Sequence, residues 1–173
     1  MRSLKFLSII ICILFFNGSL IAEIPHYLDF KYILNSSTAG KKAQDYLKNS
    51  LEKGLKNIAQ KEKKILNEKK EIINQKKILT PEDYKKKVSD LRKKVVNLQK
   101  ERKSLLETIS KKRSKAKESL LKNLNPIVKD YMKEKKIRMV VDKKSILLAD
   151  SNLDVTKDIM DLLNKKLKSI NLD

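Results

Sequence analysis

Aliphatic residues recur at helical spacing on both sides of one tight break between Lys41 and Lys122, a pattern that folds as a helical hairpin. Leu51, Ile58, Ile65, Ile72 and Leu79 return at every seventh position, with Leu47, Leu55, Leu66 and Ile73 beside them. A strict seven-residue repeat makes a narrow seam and a left-handed supercoil. The companion seam positions Glu62, Lys69 and Lys76 are charged, so the seam is thin and wet toward its far end. At the break, Thr80 suits an N-cap and Pro81 the first helical position, while Glu82 and Asp83 suit the positive end of a helix dipole. Beyond it Val88, Leu91, Val95, Leu98, Leu105, Ile109 and Ala116 alternate at three- and four-residue spacing, with Arg102 and Lys112 as gaps. The spacing predicts a helix from about Thr38 to Leu79 and a second from Pro81 to Lys136. Folded back antiparallel, they make an arm over 38–136 with its tip near 80–83. A helix of about 40 residues gives an arm about 60 Å long. Pro126 is expected to kink the second helix where the arm rejoins the rest of the chain.

Charge follows the same division. Residues 41–122 hold 27 Lys and Arg against 11 Asp and Glu, a net +16. The flanks from residue 23 onward hold 12 against 10, a net +2. A nearly neutral body therefore carries cationic arms, which suit negatively charged or extended polymers better than a small-molecule pocket.

The first 22 residues have a short basic start (Arg2, Lys5), an apolar run from Phe6 to Phe16 and a small residue at Ala22. This is the layout of a cleavable signal peptide, which directs the chain out of the cytoplasm. The run is shorter than the roughly 20 residues of a membrane-spanning helix, so a retained anchor is the weaker reading. Cys12, the one cysteine, lies inside the run instead of closing it, which argues against lipid attachment. Cleavage leaves a chain with no disulfide of its own, stabilised by packing and association.

The two flanks, 23–37 and 137–173, are expected to form one small α/β association body. Ile24 to Asp29 reads as a strand with Pro25 at its start, and Phe30 to Leu34 as a helical turn. Ile137 to Asp142 and Ser145 to Leu148 read as two more strands joined by a turn at Asp142-Lys143-Lys144. Val155 to Ile170 is an amphipathic helix with Ile159, Leu162, Leu163 and Leu167 on one face. The expected fold class is α+β, mostly α: a long antiparallel helical hairpin projecting from a small β-sheet body. Short strands in such number are seldom stable alone, so the sheet invites oligomerisation.

In this order of elements the chain resembles the Skp (OmpH-like) family of periplasmic chaperones. Tyr27-Leu28-Asp29-Phe30-Lys31 through Ser37-Thr38-Ala39-Gly40-Lys41-Lys42-Ala43 is similar to the family's opening strand, turn and first-helix start. Arg138-Met139-Val140-Val141-Asp142 followed by Leu147-Leu148-Ala149-Asp150 resembles its β-hairpin, and Leu153 to Ile159 the start of its closing helix. The arms depart from many members of the family in being richer in lysine. The resemblance implies a homotrimer whose bodies associate through their sheets, with Tyr27, Leu28, Met139, Val140, Val141, Leu147 and Leu148 as the candidate association residues. Three hairpins then project as tentacles around a cavity. It also implies an ATP-independent holdase for unfolded outer-membrane proteins crossing the periplasm. The candidate client-binding lysines are Lys63, Lys64, Lys69, Lys70, Lys76, Lys77, Lys85, Lys86, Lys93 and Lys94.

Most single lysines in such runs serve as a solvated face. Their joint field is a separate matter: arms that converge in a trimer raise the cavity potential, and screening over about 8 Å at physiological salt keeps each contact weak. No metal, cofactor or catalytic set is expected. His26 is the single histidine, and the glycines beyond residue 22, Gly40 and Gly54, lie in no phosphate-binding motif. Nucleic acid is not a physiological partner on this reading, since export removes the chain from it and Tyr84 is the one aromatic between Leu47 and Lys122. The alternative is an exported coiled-coil scaffold that binds envelope partners or an anionic lipid surface.

Overall fold

The computed structural model describes residues 24–172; the expected signal peptide lies outside the described residues. Strand β1 (His26–Leu28) leads into the short helix α1 (Phe30–Ser36), then the long helices α2 (Thr38–Asn74) and α3 (Pro81–Glu134). Strand β2 (Val140–Asp142) and helix α4 (Thr156–Lys166) follow. The architecture is the expected one: two long antiparallel helices rising from a small body with a two-stranded sheet.

Local chemistry fixes the ends of these helices. Ser37 caps α2, its hydroxyl accepting from the Gly40 N–H. Asn164 of α4 adds a second cap, accepting from the Thr38 N–H at 2.7 Å. Gly40 is required here, because a Cβ at that position would lie 2.1 Å from the Leu34 carbonyl oxygen. At the tip Thr80 accepts from the Asp83 N–H at 3.1 Å and donates its own O–H to Asp83 Oδ2 at 2.8 Å. The first helix stops earlier than expected, at Asn74. The N–H groups of Ile78 and Leu79 both bond to the Gln75 carbonyl, so the chain tightens into a 3₁₀ turn over Gln75–Lys77 before the reversal.

Helix α3 continues through Pro126 to Glu134. Proline cannot donate to the Lys122 carbonyl, yet Leu124 and Ile127 on either side are buried, and their packing holds the segment helical. Lys136 ends the helix in a left-handed conformation (φ 58°), with Ile137 N–H bonded to Met132 O at 2.8 Å and Lys136 N–H to Lys133 O at 3.3 Å. This is the paired-bond C-terminal motif usually built around glycine.

The sheet departs from expectation. β1 pairs with β2 in parallel, Tyr27 opposite Val141, and Tyr27 also bridges Asp154. Ser145 to Leu148 forms no strand, so the chain contains no β-hairpin there. Asp142 Oδ1 accepts from the Lys144 N–H and the Ile146 N–H bonds to the Lys143 carbonyl. That curl carries the chain away from β2 and leaves Leu147 and Leu148 almost wholly exposed.

The main core sits at the root of the hairpin. Leu120, Leu124, Ile127 and Tyr131 of α3 pack against Ile33, Val155, Ile159 and Leu163. The last two belong to α4 and have no solvent exposure. Polar ties reinforce the helix: Asp29 N–H donates to Thr156 Oγ1 at 2.8 Å, and Tyr131 O–H donates to Asp158 Oδ2 at 2.6 Å. Beyond α4 the irregular segment 167–172 crosses to the arm, where Leu172 joins Ala43, Leu47 and Ala116 in a second buried cluster.

Burial, then the hydrogen bond to Asp158 and the nearby carboxylates, push the Tyr131 phenol from 10.0 up to about 12. A raised phenol contributes stability that is complete below pH 10 and is lost as pH climbs toward 12, with a slope of up to about 1.4 kcal/mol per pH unit. Urea midpoints for wild type and Tyr131→Phe should therefore converge between pH 10 and 12. A difference that stays constant across that window refutes the linkage.

Candidate interaction surface of the helical hairpin

The seven-residue repeat does face inward. Ile58 and Ile72 are buried and Leu51, Ile65 and Leu79 half-buried, meeting Leu98, Ile109 and Ala116 (all buried) and half-buried Leu105 from α3. Gly54 is part of the fit, since a Cβ there would lie 2.5 Å from a methyl of Leu105.

Most of the charged gaps in the seam are filled from across the pair. Glu62 and Arg102, one gap from each helix, bond to each other at 2.6 Å. Lys112 donates to Tyr46 Oη at 2.7 Å with its ammonium 4.9 Å from the ring centre, and Lys76 lies 5.9 Å from the Tyr84 ring centre. Lys61–Glu101 at 2.5 Å and Lys94–Glu68 at 2.7 Å add two more ties. These groups are partly solvated, and exposed pairs are each worth about 0.2–1 kcal/mol. They set register more than they hold the arm closed.

Residues that accompany the repeat in sequence behave differently. Leu55, Leu66 and Ile73 are exposed. Steps of eleven and seven residues return to nearly the same helical angle, so the three form one line along α2. Val95 and Leu106 repeat the eleven-residue step on α3, with Val96 beside them, and all three are exposed. Ile78 projects at the tip, 84% exposed. Sequence reasoning placed Leu55, Leu66 and Ile73 beside the seam; their spacing relative to one another was the signal that they form a stripe of their own.

The ten candidate lysines are all exposed but not equivalent. Lys94 is engaged with Glu68, Lys93 lies 3.2 Å from Asp90, and Lys76 is drawn to Tyr84. Lys63, Lys64, Lys69, Lys70, Lys77, Lys85 and Lys86 make no ion pair among the described residues. The arm thus displays unneutralised cations interleaved with aliphatic side chains.

Among the candidate association residues, Tyr27 and Leu28 are buried within their own chain and Val140 and Val141 half-buried. Met139, Leu147 and Leu148 are exposed. An apolar groove of about 580 Å³ opens nearby, lined by Leu28, Phe30, Leu121, Leu124, Val128 and Met132 among others. His26 is half-buried in β1, and its Nδ1 is buried without a hydrogen-bond partner. Among the described residues, no group of three His, Cys, Asp or Glu side chains is placed to hold a metal, and no helix is long and apolar enough to cross a membrane.

A lysine-rich helical hairpin rooted in a two-stranded body defines the class of protein. Residues 26–163 match the family described as Outer membrane protein (OmpH-like), and the chain belongs to that family, which is one of chaperones and not of enzymes. The crystal structure of a candidate outer membrane chaperone (OmpH-like) from Caulobacter crescentus CB15 is similar, with a TM-score of 0.80 at 18% identity over 91% of this chain and 95% of that one. No curated protein sequence matches the chain.

If the Glu62–Arg102 pair sets register more than stability, aliphatic replacements at both positions gain seam burial. Glu62→Leu combined with Arg102→Leu should raise the thermal midpoint, each buried leucine contributing about 1.5–3 kcal/mol at full burial. A lower midpoint in a calorimetric scan shows the pair to be a net stabiliser.

Proposed function

We propose that the protein is an ATP-independent periplasmic holdase that binds unfolded outer-membrane proteins between the arms of a homotrimer. The observation that carries the reading is the arm surface itself, where free lysines alternate with lines of exposed aliphatic residues. An unfolded chain offers both acidic and apolar side chains at irregular spacing. Against it, many weak contacts of mixed character give retention with easy release, and no chemical energy is needed. Lys63, Lys64, Lys69, Lys70, Lys77, Lys85 and Lys86 supply attraction, while Leu55, Leu66, Ile73, Val95, Val96 and Leu106 supply short-range adhesion. The family membership and the fold shared with the Caulobacter protein support the same reading.

The homotrimer is inferred from the body. Leu147 and Leu148 have no cover within their own chain, and the groove beside β2 is an apolar acceptor for them on a neighbouring copy. A donor on one copy meeting an acceptor on the next is a head-to-tail contact, and a rotation of one third of a turn per copy closes it into a trimeric ring.

Two measurements test this. A denatured β-barrel membrane protein diluted into buffer should scatter less light with the protein present, near one trimer per client. Added salt should weaken the effect, and Leu55→Ser with Leu66→Ser and Ile73→Ser should weaken it further at unchanged charge. No suppression, with tight binding to a folded envelope partner, overturns the holdase in favour of a scaffold. Separately, Leu147→Asp with Leu148→Asp should convert the assembly to monomers in sedimentation analysis, and an intact trimer overturns the proposed contact.

A further inference from the structure

A cavity of about 670 Å³ lies at the root of the arm, between α2 and α3. Its lining is aliphatic along Leu47, Leu51, Ile109 and Leu120, and Lys48, Arg113 and Lys117 border it. No carboxylate lines it, and neither Arg113 nor Lys117 makes an ion pair among the described residues. One wall is the chain's own Ile170. Two residues on, Leu172 is 4% exposed against Ala43, Leu47 and Ala116. The segment is not helical there; it leaves α4 through Leu167 in an extended conformation.

We propose that this cavity is a peptide subsite, and that Ile170–Leu172 occupies one end of it as a resident competitor. The ligand class follows from the lining. In an extended chain alternate side chains point the same way, which suits a narrow apolar trough reached along one edge. Ile170 and Leu172 already use that spacing. Arg113 and Lys117 select segments that carry a carboxylate beside the alternating apolar residues, whereas Lys48 already lies 4.0 Å from Glu52. Segments of that pattern are strand-forming, so the subsite deepens the holdase reading and rests on it. It gives the assembly a sequence preference that the open arm surface lacks.

A competitor on the same chain acts at an effective concentration in the millimolar range when its tether is short. The subsite is therefore closed to weak ligands and opens only to segments that outcompete the resident. Client segments enter as Ile170–Leu172 leaves.

The probe is a fluorescein-labelled peptide of sequence Leu-Lys-Ser-Ile-Asn-Leu-Asp, followed by anisotropy. A chain ending after Lys168 should bind it about tenfold or more tightly than the full chain. Arg113→Glu with Lys117→Glu in the shortened chain should weaken binding by about fivefold or more. Equal affinity of the shortened and full chains, or indifference to the charge reversal, overturns the proposal. A second readout needs no variant. Saturating probe added to the full chain should shift the Ile170 and Leu172 methyl resonances toward the positions of a free peptide, and unchanged resonances overturn it. The holdase reading fails separately: it falls if client scattering is unaffected by a chain that still binds the probe.

Discussion

The hairpin depends on how its two open ends are tied. Two long helices joined only by a seam this wet would splay at the root, where α2 begins and α3 leaves. Helix α4 prevents that. Ile159 and Leu163 are fully buried against α3, Tyr131 reaches across to Asp158, and Asn164 caps the first turn of α2. A single short helix thereby binds to both long ones, and Thr156 binds it to the turn after β1. The seam can then afford charged gaps because it is required only to align the helices.

This arrangement lets the arm spend its surface on something other than stability. Along residues 41–122 the net charge is +16 and much of it stays uncompensated; three carboxylates tie the helices together, Glu62 with Arg102, Glu68 with Lys94 and Glu101 with Lys61, while Glu52, Asp90 and Glu107 pair within their own helix. Exposed aliphatic lines on both helices are tolerated in the same way. Lysines flanking Leu66 and Ile73 in the sequence keep apolar arms from sticking to one another in solution.

The long elements were legible in the sequence. The heptad from Leu51 to Leu79 and the Thr80-Pro81 cap each have a local cause, and the helices begin at Thr38 and Pro81 as the sequence places them. The end of α2 was less so: the reversal is built from backbone bonds to the Gln75 carbonyl, which no side chain announces. The body was read least well. Apolar alternation at Ser145–Leu148 suggested a strand, but three-residue strands owe their existence to partners, and the partner of β2 is β1 at the other end of the chain. The stripe of Leu55, Leu66 and Ile73 was present in the letters. Only the geometry separates it from the neighbouring seam.

Parallel pairing of His26–Leu28 with Val140–Asp142 has a temporal side. Whichever way the polypeptide emerges, its opening strand waits for nearly all the remaining residues before a ladder can form. The helical pair between them starts from contacts close in sequence at the tip, such as Lys87 with Gln75, and closes from there toward the root. Assembly therefore runs backwards relative to appearance: prongs first, base last. During that interval the half-made molecule exposes the apolar faces of Leu120, Leu124 and Ile127 that α4 later covers.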